Sequence, residues 1–242
     1  MNDFEMAKKI IQEGSNIVFF GGAGVSTASG IPDFRSATGL YNRKAGSDYS
    51  PEYMLSHTFF IKHPDYFYDY LRNNLYYPKA QPNDAHQALA KLEKEGKLTA
   101  VVTQNIDGLH QAAGSKNVIE FHGSSNRFHC MQCKKEYSAE LVYQSTDVPR
   151  CDVCGGLVRP DIVLYEEPID PNVYQRAIEA VSNADILIVG GTSLVVYPAA
   201  GLLAYYDKKK LILINQETTA NDHAANYILK GDISQILKEL AD

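Results

Sequence analysis

The chain has four cysteines, and all of them fall into one pattern: Cys130 and Cys133 are separated by two residues, Cys151 and Cys154 likewise, with seventeen residues between the pairs. A two-residue gap lets a tight turn present two sulfurs to one tetrahedral ion, and the intervening loop brings the second turn round to meet the first. This is the spacing of a four-thiolate zinc ribbon. Four protein ligands leave the ion no open position, so such a metal is structural. Two disulfides or a redox site are the competing uses of the same thiols. The stretch 1–9 lacks a secretory signal pattern, which points to a reducing compartment and zinc, and makes a cytoplasmic location the expectation.

A second constraint lies near the start. The apolar run Ile17, Val18, Phe19, Phe20 reads as a buried strand and runs into a glycine-rich turn from Gly21 to Gly24. Glycines let a backbone approach a pyrophosphate closely, and a helix beginning near Val25 would aim free N–H groups at the anion. The dinucleotide fingerprint Gly-x-Gly-x-x-Gly is matched at Gly22 and Gly24 but not at Thr27, and no acidic residue clearly ends a second strand about 20 residues on. An ordinary strand-to-helix turn is the plainer reading. The continuation Pro32, Asp33, Phe34, Arg35 places an acid, an aromatic ring and a guanidinium in one rigid turn and favours a site.

The rest alternates. Asn2 and Glu5 resemble a capping box ahead of an apolar face formed by Met6, Ala7, Ile10 and Ile11, with Gly14 ending the helix. A helix carrying Ala85, Ala88, Leu89 and Leu92 closes at Gly96, and 98–103 reads as a strand. A helix near 173–181, a strand at 186–189, a helix after Pro198, a strand at 211–214 and a last helix from Ile233 follow. This βαβ rhythm predicts a parallel sheet with helices on both faces and ligands at the carboxyl ends of the strands. Polar clusters stand there: 103–107, Gly190 to Ser193, and Asn215 with Gln216. Between 36 and 81 the chain changes character, with Tyr49, Tyr53, Tyr66, Tyr68, Tyr70, Tyr76 and Tyr77 broken by Pro51 and Pro64; it reads as a helical insertion whose rings serve packing.

The 242 residues are 45% hydrophobic, enough to bury a sizeable core in one large domain or in one with a smaller appendage. No apolar run reaches the roughly 18 residues of a membrane span. A net charge of −6 disfavours a nucleic-acid surface and is compatible with a basic protein partner. His122, between the strand end at Asn105 and Asp107 and the cysteine segment, sits at a junction of modules, where clefts form and a histidine can accept a proton near neutral pH.

Together, Gly22-Ala23-Gly24-Val25-Ser26, residues 30–36, residues 103–110, His122-Gly123, the cysteine pairs, and Gly191-Thr192-Ser193-Leu194 through Pro198-Ala199 resemble the sirtuin family of NAD-dependent protein-lysine deacylases, over nearly the whole chain. The resemblance implies a Rossmann-type large domain from 1–35, 82–122 and 159–242. It also implies a small domain from the helical insertion 36–81 and the zinc ribbon 123–158, with NAD and an acetylated-lysine protein meeting in the cleft between. It assigns Gly22, Ala23, Gly24, Thr27, Asp33, Phe34, Arg35, Gly191, Thr192, Ser193, Asn215, Asp232 and Ile233 to NAD. Gln104, Asn105, Ile106 and Asp107 fall around the nicotinamide ribose, with Asn105 catalytic, and His122 is the general base for a ribose hydroxyl. Val163 and Val195 fall beside the substrate lysine.

The implied reaction removes an acetyl or longer unbranched acyl group and yields nicotinamide and O-acyl-ADP-ribose. Protein ADP-ribosyl transfer and a non-catalytic NAD-binding module are the other readings of the same site. Relatives that take succinyl or malonyl groups carry a tyrosine and an arginine three residues apart; aligning on Pro64 puts Leu71 and Asn74 there, which cannot neutralise an acid. The family usually has a glycine where this chain has Glu166.

Overall fold

The computed structural model describes residues 1–36, 39–42 and 49–242, so residues 37, 38 and 43–48 of the tyrosine-rich insertion lie outside the described residues. Helix α1 (Asp3–Glu13) opens on the expected capping box, with Asn2 and Glu5 each accepting the other's backbone N–H, and ends at Gly14. Strand β1 (Ile17–Gly21) is buried throughout. The insertion holds α2 (Pro51–Met54), α3 (His57–Lys62) and α4 (Pro64–Asn74), with Pro51 and Pro64 in first turns, where a missing N–H costs nothing. Then come α5 (Asp84–Lys94), β2 (Leu98–Thr103), α6 (Leu109–Ala113) and β3 (Val118–Glu120). The cysteine segment contributes β4 (Gly123–Cys130), β5 (Glu136–Ser138), α7 (Ala139–Gln144) and β6 (Val158–Ile162). The chain closes with α8 (Pro171–Asn183), β7 (Ile186–Gly190), a 3-10 helix (Ala199–Tyr205), β8 (Leu211–Asn215), β9 (Tyr227–Lys230) and α9 (Ile233–Ala241).

One expectation fails. No α-helix begins near Val25; two 3-10 turns, Ala23–Val25 and Thr27–Ser29, stand there instead. The reason is competition for the backbone: Thr27 Oγ1 donates to the Gly24 carbonyl at 3.0 Å and Asn83 Nδ2 to the Val25 carbonyl at 2.8 Å, while Gly30 turns the chain left-handed at φ 83°.

The main sheet is six-stranded and parallel, in the order β3-β2-β1-β7-β8-β9. Strand periodicity sorts its side chains: Ile17 and Phe19 face a core with α1, α5 and α9, whereas Val18 and Phe20 face α8 and the 3-10 helix. Chain order reverses between β1 and β7, which opens a crevice at their carboxyl ends. A three-stranded antiparallel sheet, β5-β4-β6, is separate. Its Phe128 and Val158, with Val142 of α7 and Cys151, share one core with Phe59, Phe60, Phe67, Tyr68 and Leu71 of the insertion. Tyr68 donates its hydroxyl to the Val158 carbonyl, and Tyr76 stacks on Tyr143 at 3.8 Å. No described helix is long and apolar enough to cross a membrane.

The four cysteine sulfurs lie within 4.8 Å of one another. Cys130 faces Cys154 and Cys133 faces Cys151 at 3.5 Å, far beyond a disulfide bond of about 2 Å. Sulfurs about 2.3 Å from a tetrahedral zinc stand roughly 3.8 Å apart, so the cluster fits the ion. Cys151→Ala should therefore lower bound zinc from about one ion per chain to near none and expose the ribbon to proteolysis. Metal analysis finding no zinc in wild-type protein purified without chelator would refute this.

Candidate functional site

Two turns cross at the crevice. Gly24 N donates to the Gly191 carbonyl at 2.8 Å, and a Cβ on Gly24 would stand 2.8 Å from Gly191 Cα, so both positions need glycine for the β1 and β7 turns to meet. Behind them, Gln104 Nε2 donates to Thr192 Oγ1 at 3.1 Å, and Asn215 exchanges hydrogen bonds with the Thr192 backbone. Asp232 caps α9 through the N–H groups of Ser234 and Gln235, which holds Ile233 at the same rim.

The turn after β2 is held from both sides. The Ser26 hydroxyl donates to Asp107 Oδ2 at 2.7 Å, Asn105 Nδ2 to Ser26 Oγ at 3.1 Å, and the Leu109 N–H to Asp107 Oδ1 at 2.9 Å. From β4, the Ser125 N–H and hydroxyl both donate to the Ile106 carbonyl, and Asn126 Nδ2 to the Asp107 carbonyl. Burial pushes the Asp107 carboxyl above the ordinary aspartate value, against the downward pull of Leu109 and Ser26.

His122 ends the path from β3 into β4. Its Nδ1 lies 3.2 Å from the Gln104 carbonyl, which only accepts, so Nδ1 carries the proton and Nε2 of the neutral ring remains an acceptor. Burial lowers its pKa, opposed by that carbonyl. The Val163 N–H donates to the His122 carbonyl at 2.9 Å, tying the segment after β6 to the histidine. Gly123 makes this possible: its φ is 78°, and a Cβ there would lie 2.1 Å from the Asp161 carbonyl oxygen.

One cavity of about 830 Å³, inside the usual range for ligand sites, opens among these turns. Gly22, Ala23, Gly24, Thr27, Asp33, Phe34, Arg35, Gln104, Asn105, Ile106, Asp107, His122, Val163, Gly191, Thr192, Ser193, Val195, Asn215, Asp232 and Ile233 all line it. Asp33 does so with its carboxylate turned back to the N–H groups of Arg35 and Ser36. Leu71 and Asn74 do not: Leu71 is buried in the third core and Asn74 bonds the Tyr70 carbonyl, so that pair is not what an acyl group would meet. Sequence reasoning gave no role to Ser26, Ser125, Tyr41 or Tyr165. Tyr41 and Tyr165 pair their hydroxyls at 2.9 Å beneath Arg35, and nothing in their spacing announces it. Glu166 adopts φ 75°, where a glycine is unstrained, and its carboxylate accepts the Thr58 N–H at 2.9 Å; the Thr58 side chain and then that N–H hold its pKa down.

The description "Sir2 family" belongs to the family whose model matches residues 22–198. A Clostridium perfringens (strain 13 / Type A) protein named NAD-dependent protein deacetylase is 56% identical over 236 residues, 97% of either chain. A solved structure described as "Structural Basis for the Mechanism and Regulation of Sir2 Enzymes" superimposes with a TM-score of 0.89 at 37% identity, over 99% of this chain and 96% of its own. Another, described as "Sir2-p53 peptide-NAD+", has a TM-score of 0.85 at 38% identity, over 99% and 97%.

Asp107 gives a linkage test. Its folded pKa is raised, so the stability it contributes is full where it is protonated and is lost as pH rises through the folded pKa. Relative to Asp107→Asn, whose amide does not titrate, the wild type should lose stability over that rise, and urea denaturation at pH 4 and pH 7 measures it. A stability difference that does not move with pH contradicts the buried carboxyl.

Proposed function

The chain belongs to the Sir2 family, and from the arrangement of its cavity we infer that it removes acetyl groups from protein lysines at the expense of NAD. The observation that carries this reading is the convergence of the glycine turns, the Asp107 network, His122 and Val163 on one cavity. The family's nucleotide fits the donor set: turns without Cβ atoms at Gly24 and Gly191, the Arg35 guanidinium, and polar groups on Thr192, Ser193 and Asn215 line one side. NAD, when bound, supplies the ADP-ribosyl group that accepts the acyl group as nicotinamide leaves.

The protein's part is binding, orientation and one proton. Asp107 and the Ile106 backbone, braced by Ser26 and Ser125, are placed to hold a carboxamide away from water. Asn105 orients the ribose side. His122 Nε2 takes the proton from a ribose hydroxyl, and the Gln104 carbonyl fixes the ring so that this nitrogen is the free one. Val163 and Val195 flank the lysine. Arg35 is the one lysine or arginine among the described residues lining the cavity, which supports uncharged acyl groups over succinyl or malonyl. Residues 1–35, 82–122 and 159–242 form the nucleotide-binding domain in this reading, and 36–81 with 123–158 the smaller one. The acetylated substrates are proteins, and the cytoplasm, where thiols stay available to zinc, is the place of action.

His122→Ala should lower deacetylation by about 10² to 10⁴-fold, with NAD binding retained and nicotinamide exchange falling less than product formation. In the wild type, activity needs the neutral ring and is lost as pH falls through a pKa below the ordinary 6.5, so the acid limb should lie under that value. Near wild-type release of free lysine by the variant, assayed by mass spectrometry of an acetylated peptide, would overturn the assignment.

A further inference from the structure

Glu167 stands at the end of the segment that follows β6, and its carboxylate gathers four donors. Arg159, on β6, grips it with two prongs, Nη1 to Oε1 at 2.7 Å and Nη2 to Oε2 at 2.8 Å. The Leu164 N–H donates to Oε2 at 2.9 Å, and His57 Nδ1, at the start of α3, lies 2.8 Å from Oε1. The two charged side chains of the Arg159 pair are each 15% exposed, so the contact escapes most of the screening that makes surface ion pairs nearly worthless. Burial alone would raise the Glu167 carboxyl; Arg159, Leu164 and His57 outweigh it and bring it down to about 2. Arg159 has further partners, the Ile162 carbonyl at 2.9 Å and the Phe60 ring of α3.

The same segment is fastened to the insertion along its length. The His57 N–H donates to the Tyr165 carbonyl and the Tyr165 N–H to the Leu55 carbonyl, both at 3.0 Å, and Glu166 accepts from Thr58 N. Val163, Leu164 and Tyr165 border the cavity, with Val163 also held to His122. Glu167 borders the cavity too, but both its oxygens are committed to protein donors.

We propose that Glu167 is a positioning residue for the acetyl-lysine substrate: it clamps residues 162–167 between β6 and α3 and so fixes the wall on which the peptide lies. This rests on the deacetylase reading above for the identity of the peptide. Removing the clamp loosens the peptide's side of the cavity while leaving the glycine turns and His122 in place, because those are held by their own hydrogen bonds. A general loss of structure would weaken both substrates alike; the clamp weakens one.

The test is Glu167→Gln, which keeps the size but loses the charge and one acceptor. The dissociation constant and KM for an acetyl-lysine peptide should each rise by about tenfold, with the KM for NAD and kcat at saturating peptide within about twofold. Unchanged peptide affinity, or a fall in kcat with both KM values raised together, overturns the proposal. Should Glu167→Gln fail to fold, His57→Ala removes one donor at the exposed edge and should raise the peptide dissociation constant by about threefold; no change there overturns it equally. Peptide binding is measured by calorimetry, independently of turnover. A wild type that binds acetylated peptide without deacetylating it overturns the reaction, while the binding arm still decides the clamp; one that does not prefer acetylated to unmodified peptide overturns both.

Discussion

The joint at His122 and Gly123 is where the architecture is decided. The chain leaves the parallel sheet after β3 and enters the antiparallel one as β4, and at that step Gly123 lies against the Asp161 backbone so closely that no side chain fits. Because the two strands touch there, the segment after β6 begins beside His122, and a single N–H from Val163 closes the distance. The wall of the cavity and the first strand of the cysteine module are therefore joined at one backbone contact, while the Gln104 carbonyl fixes the histidine ring. The cysteine cluster lies at the other end of β4, remote from the chemistry, and its effect on the cavity passes through the strands.

Burial then acts on the two ionisable groups in opposite senses of charge but the same sense of neutrality. The Asp107 carboxyl is pushed up and the His122 imidazole down, so each is biased toward its uncharged form. For His122 this preserves a proton acceptor at neutral pH. For Asp107 it weakens a charge that would otherwise favour water over an amide ligand, and Ser26 and Leu109 keep enough hold to orient the group. Glu167, half-buried, goes the other way because Arg159 lies against it. Desolvation decides the first two against the pull of their partners, and at Glu167 the partners win.

Much of this was legible in the residues. Apolar periodicity placed β2 and α9 at their observed starts, and the cysteine spacing foresaw four sulfurs in one cluster. The glycine turns, residues 104–107, Asn215 and Asp232 lie on one cavity because they follow the ends of parallel strands, which chain order reveals, whereas Val163 follows the antiparallel β6. Other features gave no signal. β3 and β9 are too short for a period, and β6 carries Pro160, which reads against a strand and is tolerated because β6 is an edge. The helix expected at Val25 was lost to Asn83, 58 residues away, a partner that local patterning cannot see. Ser26 gave no signal of its own role, because its partner Asp107 lies at a different strand end.

Glu166 joins the cavity wall to α3. A residue with a side chain at φ 75° costs on the order of 1 kcal/mol or more where glycine costs nothing, so its presence calls for a compensating contact. The contact is the Thr58 N–H, one of the orphan donors in the first turn of α3, next to the His57 that reaches Glu167. Adjacent carboxylates thus grip adjacent residues of one short helix. Through Glu166 and Glu167 this chain fastens the turn to the helix, and the wall of the cavity is carried by the insertion.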